Sequence, residues 1–471
     1  MPHIVILGGG ISGLATGWFL RRHLGSQIQL TILEKSDRPG GWIETIEKET
    51  FLFEQGPRSC RTAGSGKETL ALVEALGLEH QVIAPAREAK NRYVFHGNSL
   101  HQLPSHVWQV PFNVLTKGWL KALWRDWTMP KIQRGDESIH LFFTRHIGAS
   151  LTERLIDPMV SGIYAGDCHL LSLKSCFPLF DQWQRQQGSL IRGAWFHRSA
   201  QTLNTPFIQR MSRFAMFSFQ KGMETLPRAL ALELKDHLLL NQQIKRIKCE
   251  RSGLKLELSD GKRLHADHVI STLPTFALSA LLQENPMIAA KLGRLAYATV
   301  ISVNMGFHQN MLPYQGFGYL IPSQYRSALL GCVWDSSVFP QQNRGEQTRL
   351  TVMMGGTHHP AISEMSDSDL VELAQKGLHD HLGIRQDPGL IQIKRAIRAI
   401  PQFRVGFSEW KRGVDESIHQ LSSDLTLSGS AWTGVSINDC IAHANELAQK
   451  IAKNIEGSRK LVIDPFLPDK D

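Results

Sequence analysis

The chain has 471 residues, 42% of them hydrophobic and 20% charged, which is enough for about two or three domains with sizeable cores and excludes a disordered, collagen-like or coiled-coil protein. Lys and Arg total 52 against 43 Asp and Glu, a formal charge of +9, which favours an acidic partner such as nucleic acid, anionic lipid or a carboxylate-bearing substrate. The six cysteines, Cys60, Cys168, Cys176, Cys249, Cys332 and Cys440, include no Cys-x-x-Cys pair; neither a zinc site nor a disulfide framework is expected, and a reducing, cytoplasmic setting fits.

Ile4 to Leu7 is an apolar run of the kind found in buried parallel strands, glycines follow at once, and Leu14 to His23 reads as a helix. The stretch Ile4 to Leu20 is uncharged and precedes Arg21 and Arg22, but no basic region comes before it and Gly8, Gly9, Gly10 and Gly13 break it. Strand, turn and helix therefore describe it better than a signal peptide. Gly8-x-Gly10-x-x-Gly13 matches the dinucleotide fingerprint, whose glycines allow the tight turn, the approach of backbone to a pyrophosphate and close helix packing, with the helix N-terminus facing the phosphates. A second apolar strand, Ile28 to Leu33, ends in Glu34, 21 residues after Gly13 and placed to accept hydrogen bonds from ribose hydroxyls.

Between Trp108 and Arg134, Lys117, Lys121, Arg125, Lys131 and Arg134 stand against Asp126 alone, interleaved with Trp108, Trp119, Trp124 and Trp127. At helical spacing Lys117, Lys121 and Arg125 share one face, and Leu115, Trp119, Leu123 and Trp127 the opposite one. That is the pattern of an interfacial helix on anionic lipid. Farther on, Phe219 to Leu230 leads a helix into an amphipathic pair of strands from Ile244, and Val269 to Pro274 is apolar. Near the far end Leu425 to Ser428 reads as a strand, Gly429 to Cys440 as a glycine-containing turn and Ile441 to Ile455 as a helix. No His–Asp dyad, paired carboxylates or metal-ligand spacing stands out among the 20 histidines. No RNA-binding module or basic-aromatic sheet pattern is found, so nucleic acid is not expected as a partner.

The continuation Glu34-Lys-Ser-Asp-Arg38-Pro-Gly40-Gly41-Trp42, followed by Phe53-Glu-Gln-Gly56-Pro57-Arg58 and matched by the Gly429 to Cys440 turn, resembles the amine-oxidase-like flavoprotein superfamily. Finer motifs resemble the protoporphyrinogen oxidase family over nearly the whole chain. They are Gly41-Trp42-Ile43, Gln55 to Arg58, Asn91-Arg92-Tyr93, Ser161-Gly-Ile-Tyr-Ala-Gly166, Ser175-Cys-Phe-Pro178, Gln315 to Pro322, Thr351 to Gly356, Pro401-Gln-Phe403 and Gly434 to Cys440. The fold this implies is α/β: a discontinuous Rossmann-like FAD-binding domain (1–84, 206–276, 405–471), an inserted mixed α/β substrate domain (85–106, 277–404) and a mostly helical membrane-binding insertion (107–205).

The resemblance implies FAD held by Gly8, Gly10, Ser12, Gly13, Glu34, Lys35, Arg38, Gly41, Trp42, Gly56, Pro57, Arg58, Ile244, Trp410, Gly429, Val435, Ser436 and Ile437, with Arg38 offsetting phosphate charge. It implies a porphyrinogen bound by Arg92 through a propionate, by Phe317, Leu320 and Met353 around the rings, and by the Gly162 carbonyl on a pyrrole N–H. No side chain is assigned as a catalytic base and no metal is expected. The reaction implied is a six-electron oxidation in haem synthesis, by hydride transfer to the flavin in three steps, with oxygen or a quinone as final acceptor. Implied partners are an anionic membrane surface at the cytoplasmic face, ferrochelatase for product hand-off, and a second copy in a dimer. A coproporphyrinogen III oxidase on the same fold, or another enzyme of the superfamily such as an amine or carotenoid oxidase, is the alternative.

Overall fold

A computed structural model describes residues 1–131, 135–196, 205–250 and 253–456; Arg134 and residues 457–471 lie outside them. Ile4, Val5, Ile6 and Leu7 are wholly buried because their strand, His3–Leu7, is the middle one of a five-stranded parallel sheet. Its order is Leu238–Leu239, Gln29–Leu33, His3–Leu7, His268–Ser271, Leu425–Leu427. A strand covered on both faces needs a continuous apolar run, which is what the first seven residues supply. The first helix spans Ile11–Leu24 and the last Ile437–Glu456, each starting a few residues before the apolar pattern predicts. Both begin inside their glycine-containing turns, and their apolar faces meet in one core through Leu14, Trp18, Ile441, Ala444 and Ala448.

Instead of the expected pair of strands after Ile244, an antiparallel trio is present, Ile244–Cys249, Leu254–Leu258 and Arg263–Ala266. A second, larger sheet has seven strands in the order Leu390–Pro401, Tyr297–Phe307, Thr348–Gly355, Leu329–Val333, Gly318–Leu320, Arg92–His96, Ser99–Gln102. One contact in it, Gly318–Leu320 with Arg92–His96, is parallel.

Residues 107–196 are mostly helical where described, but the tryptophan-rich stretch departs from the helical wheel drawn from its sequence. Gly118 takes φ 95°, so the helix begins at Trp119 and ends at Trp127. Leu115, assigned to the apolar outer face, is instead buried in a short 3-10 turn before the break, and Lys117 lies off the helix. Arg125 is tied to the Thr144 carbonyl at 3.3 Å. The exposed apolar face is made by Leu120, Leu123, Trp124 and Trp127, joined by Val107, Trp108, Phe112, Trp195 and Phe196 from flanking segments.

The absence of a His–Asp dyad is also corrected. Asp126 is buried, with His146 Nδ1 2.5 Å from its Oδ1; Ser189 Oγ donates to Oδ2 at 2.7 Å, and the N–H groups of Leu190 and Ile191 donate at 3.0 Å each. Burial alone would raise its carboxyl; the bonds from His146, Ile191, Ser189 and Leu190 outweigh that and hold it below the usual range. The dyad is wholly enclosed and binds the Trp119–Trp127 helix to Ile139–Ile147 and to the start of Leu190–Phe196. Leaving one buried partner of such a bond unsatisfied costs about 1–3 kcal/mol.

Candidate functional site

Three turns meet at the carboxyl ends of the parallel strands. The first is Gly8 to Gly10. A Cβ at Gly13 would overlap the Gly8 carbonyl oxygen, and Gly8 has φ 104°. Gly10 caps the first helix without any side-chain bond, and no acid lies in the first turn. The helix therefore presents bare N–H groups and the positive end of its dipole, a ready anion site. The second turn, Gly40–Gly41, lies against the first: Gly40 N–H donates to the Gly9 carbonyl at 2.8 Å, and a Cβ on Gly41 would come 3.3 Å from the Gly10 Cα. The third, from Gly429, has φ 87° and abuts Thr272, which also abuts Gly8.

Glu34 is buried beside the first turn and accepts from Gly9 N–H at 2.6 Å, Ser36 N–H at 2.9 Å and Ser36 Oγ at 2.5 Å. A carboxylate has about four acceptor positions, so ribose hydroxyls and the turn would share it. Lys35 next to it is exposed. Ile244 packs in the core with Leu7 and Leu33, while Gln242 N–H donates to the Glu34 carbonyl at 2.8 Å, which brings that segment alongside the acid. Arg38 is engaged elsewhere than the sequence suggests: it donates to the carbonyls of Pro39, Gly41 and Ile43 at 2.8–3.2 Å and pairs with Glu44 and Glu224. Its charge is compensated within the protein, and its bonds show it bracing the second glycine turn.

Trp42 is 41% exposed. A Cβ at Gly56 would overlap the Trp42 carbonyl oxygen, so Gly56 and Pro57 lie against the backbone beside Trp42. Arg58 Nε donates to Asp335 at 3.0 Å. At the far turn, Ser436 Oγ donates to Asp439 at 2.5 Å and caps the Asp439 N–H at 3.1 Å. Val435 packs on the helical region and Ile437 on the core of the first helix. The Ser12 side chain lies beside the Cys440 thiol, so the two long helices start side by side. Trp410 stands one layer behind: its indole N–H donates to the Lys291 carbonyl at 3.0 Å and its ring backs Trp432 at 5.7 Å. The crevice fits a dinucleotide-type flavin on two counts. Its glycines leave bare backbone where any side chain would collide, and Gln55, next to Gly56 in the chain, has its Nε2 buried without a partner.

Burial pushes Glu54, at the end of the Phe51–Glu54 strand that leads into the Gly56–Pro57 turn, up to about 7, against bonds from Met223 N–H and Thr45 Oγ1 and the charge of Arg58. Burial also pushes His443, beneath the Gly429 turn and 3.2 Å from Ser428 Oγ, down to about 4, assisted by the charge of Lys411. The folded state thus prefers neutral His443. Its contribution is complete above the ordinary value of 6.5 and is lost as pH falls from there toward 4, amounting to about 3 kcal/mol. We expect His443→Gln to reduce the drop in melting temperature between pH 6.5 and 4, read by thermal denaturation of both proteins across that range; parallel curves would contradict it.

The five residues assigned to substrate come together although they are far apart in sequence. The Arg92 guanidinium lies over the Phe317 ring at 5.1 Å, and Phe317 N–H donates to the Asn91 carbonyl at 2.8 Å. Leu320 pairs with Gly331, and Gly331 with Met353, on adjacent strands. Gly162 sits in the last turn of Asp157–Tyr164, where carbonyls lack helical partners, and a Cβ there would meet Leu320 at 2.9 Å. Phe317 and Met353 pack on one cluster. Gly331 was not singled out from sequence; a glycine inside a strand marks close approach, and here it leaves the space between Leu320 and Met353 open. Arg92 stands exposed at the start of its strand, partial burial lowers its affinity for protons, and it has no carboxylate partner among the described residues. Away from this floor, Asp167, Cys168 and His169 bring a carboxylate, a thiol and an imidazole within 4.8 Å; burial and the carboxylates of Asp157 and Asp167 push the thiol far up.

Comparison with known proteins agrees with this geometry. The chain is 33% identical to protoporphyrinogen oxidase of Bos taurus over 95% of its length and 98% of that protein, and 29% identical to coproporphyrinogen III oxidase of Bacillus subtilis over 93% and 95%. A crystal structure from Exiguobacterium sp. superposes with a TM-score of 0.82 at 23% identity, covering 96% of this chain and 99% of that one. Putrescine oxidase superposes at 0.68 with 16% identity, covering 96% and 99%. Residues 11–452 match the model of the flavin containing amine oxidoreductases. Fold, glycine crevice and full-length similarity thus agree: the chain belongs to the flavin containing amine oxidoreductase family and is a flavin-dependent oxidoreductase.

Proposed function

We propose that the protein oxidises protoporphyrinogen IX to protoporphyrin IX in haem synthesis, with FAD as its cofactor. The observation that carries this reading is the convergence of Arg92, Phe317, Leu320, Gly331, Met353 and Gly162 on one floor beside the glycine crevice. A porphyrinogen is a large, mostly apolar ring with carboxylates at its edge, so it suits an apolar floor with a cation at one end. Bound flavin supplies a two-electron acceptor; the chain's residues bind, orient and exclude water. Phe317, Leu320 and Met353 hold the ring by apolar contact, Met353 adapting to its non-planar shape. Arg92 fixes its direction through a charge-assisted bond to a propionate. The Gly162 carbonyl can accept one pyrrole N–H, which leaves one edge of the macrocycle facing the crevice. None of these side chains except Arg92 titrates, so none serves as a proton acceptor.

Coproporphyrinogen III is the second reading, favoured by the similarity to the Bacillus subtilis enzyme. Mixing the purified protein in air with each porphyrinogen separately and following porphyrin fluorescence, corrected for spontaneous oxidation, distinguishes them. A faster rise with protoporphyrinogen IX is expected; a faster rise with coproporphyrinogen III moves the substrate to the second reading, and no rise with either rejects both.

The same reading includes a peripheral position on an anionic membrane at the cytoplasmic face, a dimeric state and hand-off of product to ferrochelatase. The exposed tryptophans and leucines around Trp119–Trp127, with Lys117, Lys121 and Lys131 at their margin, support the membrane contact. Six unpaired cysteines fit a reducing compartment. Among the described residues no helix is long and apolar enough to cross a membrane. Replacing Phe112, Trp124 and Trp127 by Ser should weaken binding to vesicles containing phosphatidylglycerol by roughly tenfold per side chain, measured by co-sedimentation. Wild-type protein that stays in the supernatant would reject the membrane contact.

A further inference from the structure

Arg58 and Asp335 are 277 residues apart and meet where the cofactor crevice joins the seven-stranded sheet. Arg58 directs Nε to Asp335 Oδ1 at 3.0 Å, one terminal nitrogen to the Gly56 carbonyl at 3.3 Å, and the other to the Glu54 carbonyl and Asn304 Oδ1 at 3.4 Å each. Asp335 Oδ2 lies 2.7 Å from Thr351 Oγ1, which is also 2.6 Å from Asn304 Oδ1. Thr351 stands two residues before Met353 on the same strand and pairs with Val333, which in turn pairs with Gly318. A single set of bonds therefore runs from the Gly56–Pro57 turn to the strands that carry the floor. Arg58 and Asp335 are almost fully covered, and Arg349, Asn304 and Thr351 around them are buried.

A buried ion pair is a weak source of stability, because desolvating both charges offsets most of their attraction, and apolar residues of similar volume often serve as well. Its geometry is the stronger reason for its presence, since a guanidinium fork fixes several acceptors at once. We propose that Asp335 is a positioning residue which, through Arg58 and Thr351, sets the separation and angle between the flavin-facing turn Gly56–Arg58 and the floor built on Leu320, Gly331 and Met353. This inference rests on the flavin crevice and not on which ring compound is the substrate.

The test compares Asp335→Ala, Asp335→Asn and Thr351→Val by the visible circular dichroism of bound flavin, the flavin dissociation constant and the melting temperature. Loss of the strut should change the shape of the flavin dichroism and weaken flavin binding about tenfold in Asp335→Ala. Thr351→Val should show a smaller change of the same kind, and Asp335→Asn, which keeps an acceptor for Arg58, should restore much of it. A lower melting temperature with dichroism and flavin affinity unchanged would overturn the proposal and leave a purely stabilising pair. If Asp335→Ala does not fold, Thr351→Val and Asp335→Asn decide by the same two readouts.

Discussion

Gly13→Val protein should purify colourless. The Cβ of any residue at 13 would overlap the Gly8 carbonyl oxygen and come 3.2 Å from Thr272 Oγ1. The neighbours are backbone and a hydroxyl held on the Leu7 carbonyl at 2.8 Å, not the far end of a flexible side chain, so the turn itself must open. Opening it withdraws the uncapped N–H groups of Ile11–Leu24 from the place where a pyrophosphate would lie and breaks the contact between the Gly10 and Gly41 turns. We expect at least a 100-fold loss of flavin affinity, about 2.7 kcal/mol or more, measured by the flavin-to-protein absorbance ratio after gel filtration and by titration of the apoprotein. Gly413→Ala is the control: nothing lies within 4 Å of its Cβ position, and Ala favours the Phe407–Leu421 helix in which it sits. A Gly13→Val protein with a full complement of flavin would remove this turn from the cofactor site.

Arg92→Ala should lower kcat/KM for a propionate-bearing porphyrinogen 10- to 100-fold while the flavin stays bound. One charge-assisted contact to a carboxylate is worth about 1.5–3 kcal/mol, and Arg92 is exposed and seated on Phe317 with no acid among the described residues to neutralise it. Its charge is thus available to an incoming anion. The loss should fall mainly on KM, because the bond exists throughout the reaction, and Arg92→Lys should recover part of it. Unchanged kinetics in the alanine variant would take Arg92 out of the substrate site; loss of flavin would move it to the cofactor.

These two sites were legible in the sequence to different degrees. The Gly13 turn is local: strand, glycines, helix and Glu34 follow one another, and each residue type has its own steric or electrostatic reason. The floor depends on strand register, and Leu320, Gly331 and Met353 sit side by side only because three strands align. Their assignment came from family resemblance, and Gly331 was missed despite being a glycine inside an apolar strand. The Arg58–Asp335 strut leaves no local trace, since its partners lie in separate segments. The lone acid in a cationic tryptophan run did hold a signal: an Asp there needs partners, and Asp126 finds them in His146, Ser189 and two helix N–H groups. The wheel drawn for that run failed at Gly118, where a positive φ ends the periodicity.

The parallel sheet has a consequence for how the protein is made. Its strands come from residues 3–7, 29–33, 238–239, 268–271 and 425–427, and the Ile437–Glu456 helix completes the core around Leu14 and Trp18. At about 5–20 residues per second, a ribosome leaves the buried face of the first helix uncovered for roughly 20–90 seconds before its covering helix emerges. Contacts this distant in sequence also close slowly. Cofactor capture is then expected late in synthesis, and chains truncated before the Ile437–Glu456 helix should not retain flavin.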